Sequence, residues 1–243
     1  MSNSGAKTYL KINDTCVNAY YRYGLTGTFL RSDGRDMVMH GVLSQILYKK
    51  TTSELIEEGH LVRPWIDMYQ FKLKDYDRMS YLKAYEKACL DEDLNNFVAD
   101  KANDLIDDGL QTLILVRRVE HGRILEEKIP DAIFLHGSLK QKYRDEIKEQ
   151  FSKKKIKAVI ATNIFGEGTD IPSIEALVNA RYEKTEIQTK QGIGRALRKA
   201  DGKDEVRVVD FILQNQKHLQ KHSMTRLETY RKESAFRIKL IDS

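Results

Sequence analysis

The stretch Gln191-Gly192-Ile193-Gly194-Arg195-Ala196-Leu197-Arg198 decides how the rest of the chain is read. Residues three apart on a helix share a face, so Arg195 and Arg198 point the same way. The two glycines leave their approach open. Two guanidiniums on one face suit an anion with several oxygens, such as a triphosphate. The bland alternative is a solvated basic face near a helix C-terminus, where cations are favoured.

Upstream lies Ala161-Thr162-Asn163-Ile164-Phe165-Gly166-Glu167-Gly168-Thr169-Asp170, a turn leaving a buried strand. Gly166 and Gly168 let backbone approach a ligand closely, and Asp170 is an acceptor suited to ribose hydroxyls. The same residues also read as a simple turn that starts another helix. From Leu110 onward, strand and helix patterns alternate. Thr112–Val116, Ala132–Leu135, Ile156–Ala161, Glu175–Val178 and Val206–Ile212 read as strands. Continuous apolar runs such as Thr112–Val116 mark strands buried on both faces. Between them, Val119–Ile129 reads as a helix ended by Pro130. Ser138-x-x-Gln141 and Thr185-x-x-Gln188 read as capping boxes. This order predicts an α/β fold with a parallel sheet and helices on both faces.

The N-terminal half is less regular. Residues 36–58 carry apolar positions at helical spacing, with Ser53 a candidate N-cap and Gly59 a candidate stop. The inter-domain crossing is expected at residues 59–66, where Pro64 forces extended backbone. Trp65–Leu73 reads as a strand and residues 75–108 as two helices, one with Tyr81, Leu82, Tyr85 and Ala88 on its buried stripe. The tail from Gln214 reads as a charged helix.

Composition bounds the function. The 243 residues carry 41% hydrophobic and 32% charged side chains with a net charge of +5, a balance that fits a soluble protein and favours polyanions weakly. No apolar run reaches the ~18–20 residues of a membrane span. The N-terminus lacks the apolar centre of a signal peptide. The two cysteines, Cys16 and Cys89, have no metal-like spacing and read as reduced thiols.

The pair Gly-x-Asp and Gln-x-x-Gly-Arg-x-x-Arg, about twenty residues apart, resembles motifs V and VI of superfamily 2 helicases, in their second RecA-like domain. Gly24-Leu25-Thr26-Gly27-Thr28 then resembles motif III, which closes the first such domain; read alone it is a β-turn with hydroxyl caps. The resemblance implies that Arg195 and Arg198 are arginine fingers on ATP, with Gln191 on the phosphates or the attacking water. It places Gly166, Glu167, Gly168 and Asp170 at the nucleotide. Arg117, Arg118, His136, Gly137, Thr162 and Asn163 fall at the nucleic acid, and Thr26 and Thr28 couple the two sites. It divides the chain into residues 1–60, a remnant of RecA-like domain 1, and residues 61–243, the helicase C-terminal domain.

No phosphate-binding Gly-x-x-x-x-Gly-Lys-Ser/Thr loop and no Asp-Glu box occurs in this sequence. The resemblance therefore implies that ATP and Mg2+ are held mainly by a missing N-terminal RecA-like domain, supplied in cis or in trans. This chain offers no metal site of its own and is inactive as an ATPase alone. The form of these motifs favours DNA over RNA as the substrate. The alternative is a non-enzymatic nucleic-acid-binding or trans-complementing fragment. No membrane role is expected, and the location is the cytoplasm of a bacterial or phage-infected cell, or a nucleus.

Overall fold

The computed structural model describes residues 11, 12, 14–21, 23, 24, 46–76, 78–162, 173–184 and 193–242. Two compact units divide the chain, Met1–Lys50 and Thr51–Ser243. In the first, residues 11–12 and 14–15 are helical. Thr26 and Thr28 lie outside the described residues.

The second unit begins ahead of the expected crossing. Helix α1, Thr52–Glu57, starts at Thr51, whose hydroxyl accepts from Glu54 N–H while the Glu54 carboxylate accepts from Thr51 N–H. That reciprocal pair is a capping box, so Thr51 rather than Ser53 is the cap. Ser53 instead donates backbone N–H and hydroxyl to Glu233, at 3.2 and 3.0 Å. Gly59 stops the helix at φ +76°, a left-handed geometry that glycine adopts without penalty. Ile56 is buried in the core. Val62 N–H bonds to Leu197 C=O at 2.8 Å. Residues 59–66 are thereby tied into this body.

A seven-stranded sheet follows. Its strands are β1 (Arg63–Lys72), β2 (Thr112–Leu115), β3 (Ala132–Leu135), β4 (Ala158–Ala161), β5 (Ala176–Asn179), β6 (Glu205–Gln214) and β7 (Arg237–Asp242). Their spatial order is β3-β4-β2-β5-β6-β1-β7, and every neighbouring pair is parallel. All four residues of β2, β4 and β5 are buried, as strands covered on both faces require.

Helices α2 (Tyr81–Leu90), α3 (Glu92–Asp107) and α4 (Val119–Lys128) cover one face, packing Ala84, Leu94, Val98 and Leu125 against Ile114, Ile160, Val178 and Phe211. On the other face lie Ile56 of α1, Ile147 and Phe151 of α5 (Gln141–Ser152), and Ile193, Ala196 and Leu197. Helix α6, Lys217–Arg231, joins both cores, with Leu219 in the first and Leu227 and Tyr230 in the second.

Three local readings are corrected. Leu82 is 59% exposed, because the buried stripe of α2 runs through Ala84, Tyr85, Ala88 and Cys89. The Ser138 capping box does not form: α5 starts after Lys140 with no side-chain cap, since residues 137–139 are spent on a turn leaving β3. The tail is not helical throughout, because Arg237–Asp242 returns as the edge strand β7 beside β1.

Candidate nucleotide and nucleic-acid face

Parallel strands place their carboxyl ends on one rim, where α/β folds bind ligands. Here that rim gathers the segments after β2, β3, β4 and β5. Val116 N–H still bonds to Ala161 C=O at 3.0 Å. Arg117 and Arg118 follow and turn outward, with their guanidinium carbons 5.9 and 5.7 Å from the Tyr85 ring centre. Arg117 pairs with Glu183, and Arg118 with Glu86 at 2.8 Å. Both arginines are thus held by carboxylates, a partnership that spacing alone did not reveal.

His136 follows β3 with its ring 5.0 Å from that of Phe134. Its Nδ1 is buried without a hydrogen-bond partner among the described residues. Its C=O accepts Leu139 N–H at 3.1 Å, closing the turn that holds exposed Gly137. Thr162 follows β4. Asn163, Gly166, Glu167, Gly168 and Asp170 lie outside the described residues, as does Gln191.

Arg181 and Glu183 are the residues that sequence reasoning missed. Arg181 sits just past β5 and donates from Nη2 to Thr162 C=O at 3.0 Å. Its pKa lies below the ordinary arginine value, first through burial and further through like charge on Arg195, with Glu183 opposing. Arg195 is therefore within electrostatic reach of the same rim. Glu183 is 9% exposed, and its C=O accepts from Arg226 Nη1 at 2.8 Å. Charged residues immediately after a buried strand were the available signal, because that position is always the ligand rim of a parallel sheet.

The arginine-bearing turn is helical over 193–196. Arg195 is half-buried and Arg198 exposed. The turn is anchored at its far end: Leu61 and Arg198 form an antiparallel bridge. The Lys203 amine donates to the carbonyls of Ala196 and Arg198, the latter at 3.0 Å. Those are carbonyls that a helix end leaves unpaired.

Behind the rim lies a fully buried ion pair. Arg226 donates to Asp210 from Nε at 2.9 Å and from Nη2 at 2.9 Å. Tyr230 hydroxyl and Asn179 amide donate to the same carboxylate at 2.6 and 3.0 Å. The chemistry on offer at the rim is cationic and fits phosphate oxygens. Among the described residues no group of three His, Cys, Asp or Glu could hold a metal ion.

A RecA-like α/β sheet with cations gathered at its carboxyl rim defines the class. Residues 94–200 match the helicase conserved C-terminal domain family. The chain carries a superfamily 2 helicase C-terminal RecA-like domain.

The ATP-dependent DNA helicase uvsW of Enterobacteria phage T4 is 24% identical over 210 residues, which are 80% of this chain and 41% of that protein. The crystal structure of T4 UvsW superposes with a TM-score of 0.63 at 21% identity, covering 98% of this chain and 51% of that one. Saccharomyces cerevisiae Dbp5 bound to RNA and ADP BeF3 gives 0.58 at 16% identity, covering 89% and 50%. These likenesses establish the fold. The chain spans less than half the length of the curated relatives that match it over most of its own.

Proposed function

We propose that this chain is the C-terminal motor segment of an ATP-dependent superfamily 2 helicase or translocase that acts on DNA. In this reading Arg195, Arg198 and Gln191 face the triphosphate, and Gly166, Glu167, Gly168 and Asp170 face the rest of the nucleotide. Arg117, Arg118, His136, Gly137, Thr162 and Asn163 follow the strand backbone. Residues 1–50, the unit ahead of α1, are the end of a first RecA-like domain, with Thr26 and Thr28 as its coupling loop. The rest of that domain carries most of the ATP contacts and the Mg2+. It works wherever the nucleic acid is, in a bacterial or phage-infected cytoplasm or in a nucleus.

The observation that supports this best is the meeting of three motif regions at one rim. Arg181 ties the end of β4 to the end of β5 through Thr162, and its field is shared with Arg195. Glu183 ties in Arg117. Cations held in this way fit an anion arriving between two domains, and ATP then contributes the phosphoryl group that is transferred. Arginines that offset charge on that group raise nucleotide hydrolysis by roughly 10³–10⁵-fold in the hydrolases where they are best measured. Phosphate contacts carry little sequence preference and a steep salt dependence. DNA is favoured because the relative uvsW is named a DNA helicase. RNA is the second reading, since Dbp5 is seen with RNA on the same fold.

Two measurements test this. The chain alone should hydrolyse no ATP above background, with or without DNA, and Arg195-dependent turnover by the pure chain would contradict the assignment. It should bind single-stranded DNA with an affinity that falls steeply with salt. Arg117→Gln should reduce the slope of log K against log salt by about 0.7, the increment for one single-strand phosphate contact. An unchanged slope removes Arg117 from the strand path.

A further inference from the structure

The opposite end of the sheet holds a second cationic site. β1, β6 and β7 are parallel, so Arg63, Glu205 and Arg237, which open them, share one rim. That rim borders a pocket of about 370 Å³ lined by Arg63, Trp65, Lys199, Lys203 and Arg237, with Asp204 and Glu205 beside them. Four basic side chains face two carboxylates there. The volume lies in the range of small-molecule sites, roughly 300–1,000 Å³.

The site is built rather than merely charged. Arg237 stacks its guanidinium 4.5 Å from the Trp65 ring centre, which orients its planar fork of donors toward oxyanions. Lys203 is 6% exposed, and its amine is pushed down to about 8, first by burial and then by Lys154, against the pull of Glu175. Its ammonium is held in the pocket wall by the Ala196 and Arg198 carbonyls. Gly59 borders the pocket at φ +76°, and a side chain there would meet the Lys199 amine at 3.5 Å.

We propose that this pocket is an anion site for a ligand bearing two linked phosphate groups, separate from the carboxyl rim where the nucleotide face is assigned. Its location gives it a line to that face. Lys203 lies in the pocket wall and also holds the Ala196 and Arg198 carbonyls. An anion drawn to Lys203 therefore pulls on the turn that carries the arginine pair.

Trp65 is the only tryptophan of the chain and lies in the pocket wall, so its fluorescence reports occupancy directly. Sodium pyrophosphate is titrated into the full chain, with sodium chloride holding ionic strength constant. The expected result is a saturable change in Trp65 emission with half-saturation at about 1 mM or tighter. Lys199→Gln and Arg63→Gln should each weaken it tenfold or more, while Lys142→Gln, exposed on α5 and outside both cationic sites, leaves it unchanged. A linear response, an equal response to sulfate, or full binding by both pocket variants overturns the site. Lys199 is exposed, so its variant reads binding without disturbing the core. A twelve-residue oligothymidylate, whose phosphates are joined through sugars and not to one another, is then added to the complex. Displacement of pyrophosphate gives the pocket to a nucleic-acid backbone and overturns the diphosphate assignment; retention of pyrophosphate supports it. The result does not depend on the chain being part of a helicase.

Discussion

His121 has no exposed surface, and neither ring nitrogen has a hydrogen-bond partner among the described residues. Its ring stacks on that of Tyr182, centres 5.6 Å apart. Burial pushes its pKa down to about 4 from the ordinary 6.5. Between those values the unfolded chain binds a proton that the folded chain refuses. The stability that neutral His121 permits is thus present above pH 6.5 and lost as pH falls toward 4. At 1.36 kcal/mol per unit the full loss is about 3 kcal/mol. Urea melts at pH 7, 5.5 and 4.5 should show His121→Phe losing less stability on acidification than the parent. Parallel losses would mean that other groups drive it. The next residue acts through shape: a Cβ on Gly122 would overlap the Phe134 ring. Gly122→Ala should therefore cost about 1–3 kcal/mol by overpacking. Glycine in a helix reads from sequence as a weakness, and only the position of Phe134 shows it to be a close approach.

At the scale of elements, Asp91 is the residue that separates the two helices read from the sequence over 75–108. Its φ of −65° and ψ of 119° end α2 and begin α3. One carboxylate oxygen accepts Leu94 N–H at 2.9 Å and the other accepts the Tyr76 hydroxyl at 3.0 Å. Asp91→Ala should cost about 1–2 kcal/mol, combining a lost cap with a buried hydroxyl left unpaired. Asp91→Asn should recover most of it, because it retains an acceptor. Thermal melts of the three proteins decide; equal melting temperatures would show that the cap is idle. The strands over 112–161 were legible because burial on both faces leaves a continuous apolar run. β7 was not, since this edge strand is largely exposed and only Ile238 and Ile241, three residues apart, are half-buried, which gives no strand period. Its charges, Arg237, Lys239 and Asp242, read as a solvated tail until β1 supplies the hydrogen-bonding partner. The Ser138 box failed for a related reason. The motif is local, but the exit direction of β3 moves the cap from Ser138 to Lys140 and delays the helix by two residues.

For the whole molecule, the Arg226–Asp210 pair joins α6 to β6 and, through Asn179 and Glu183, to the end of β5. Buried pairs stabilise little against an apolar replacement, but removing one partner strands the other charge. Arg226→Met alone should cost about 3–5 kcal/mol. The double variant Arg226→Met/Asp210→Leu should lose less than the sum of the single losses. Additive losses would show that the two charges do not act as a unit. Because Glu183 also holds Arg117, the same variant should loosen the carboxyl rim while leaving the Trp65 pocket in place. No sequence rule pairs Asp210 with Arg226 across a strand end and a helix turn, and neither residue drew notice when read singly.

Hydrophobic periodicity was enough to give the parallel α/β class and most of the strands, and the resemblance of two motifs to those of superfamily 2 helicases gave the family. Those features depend on local repeat geometry and on backbone conformations that few residues adopt. Which charges meet was decided only by the folded sheet. Glu183 neutralises Arg117, Arg181 pins Thr162, and Lys203 caps the arginine turn, across separations along the chain from a few residues to more than sixty. A charged side chain reads the same from sequence whether it faces water or a partner. Parallel strands then gather Arg63, Lys199 and Arg237 at one end and Arg117 and Arg181 at the other. Strand direction is a property of the whole sheet, and so the separation of the two cationic sites belongs to the tertiary structure.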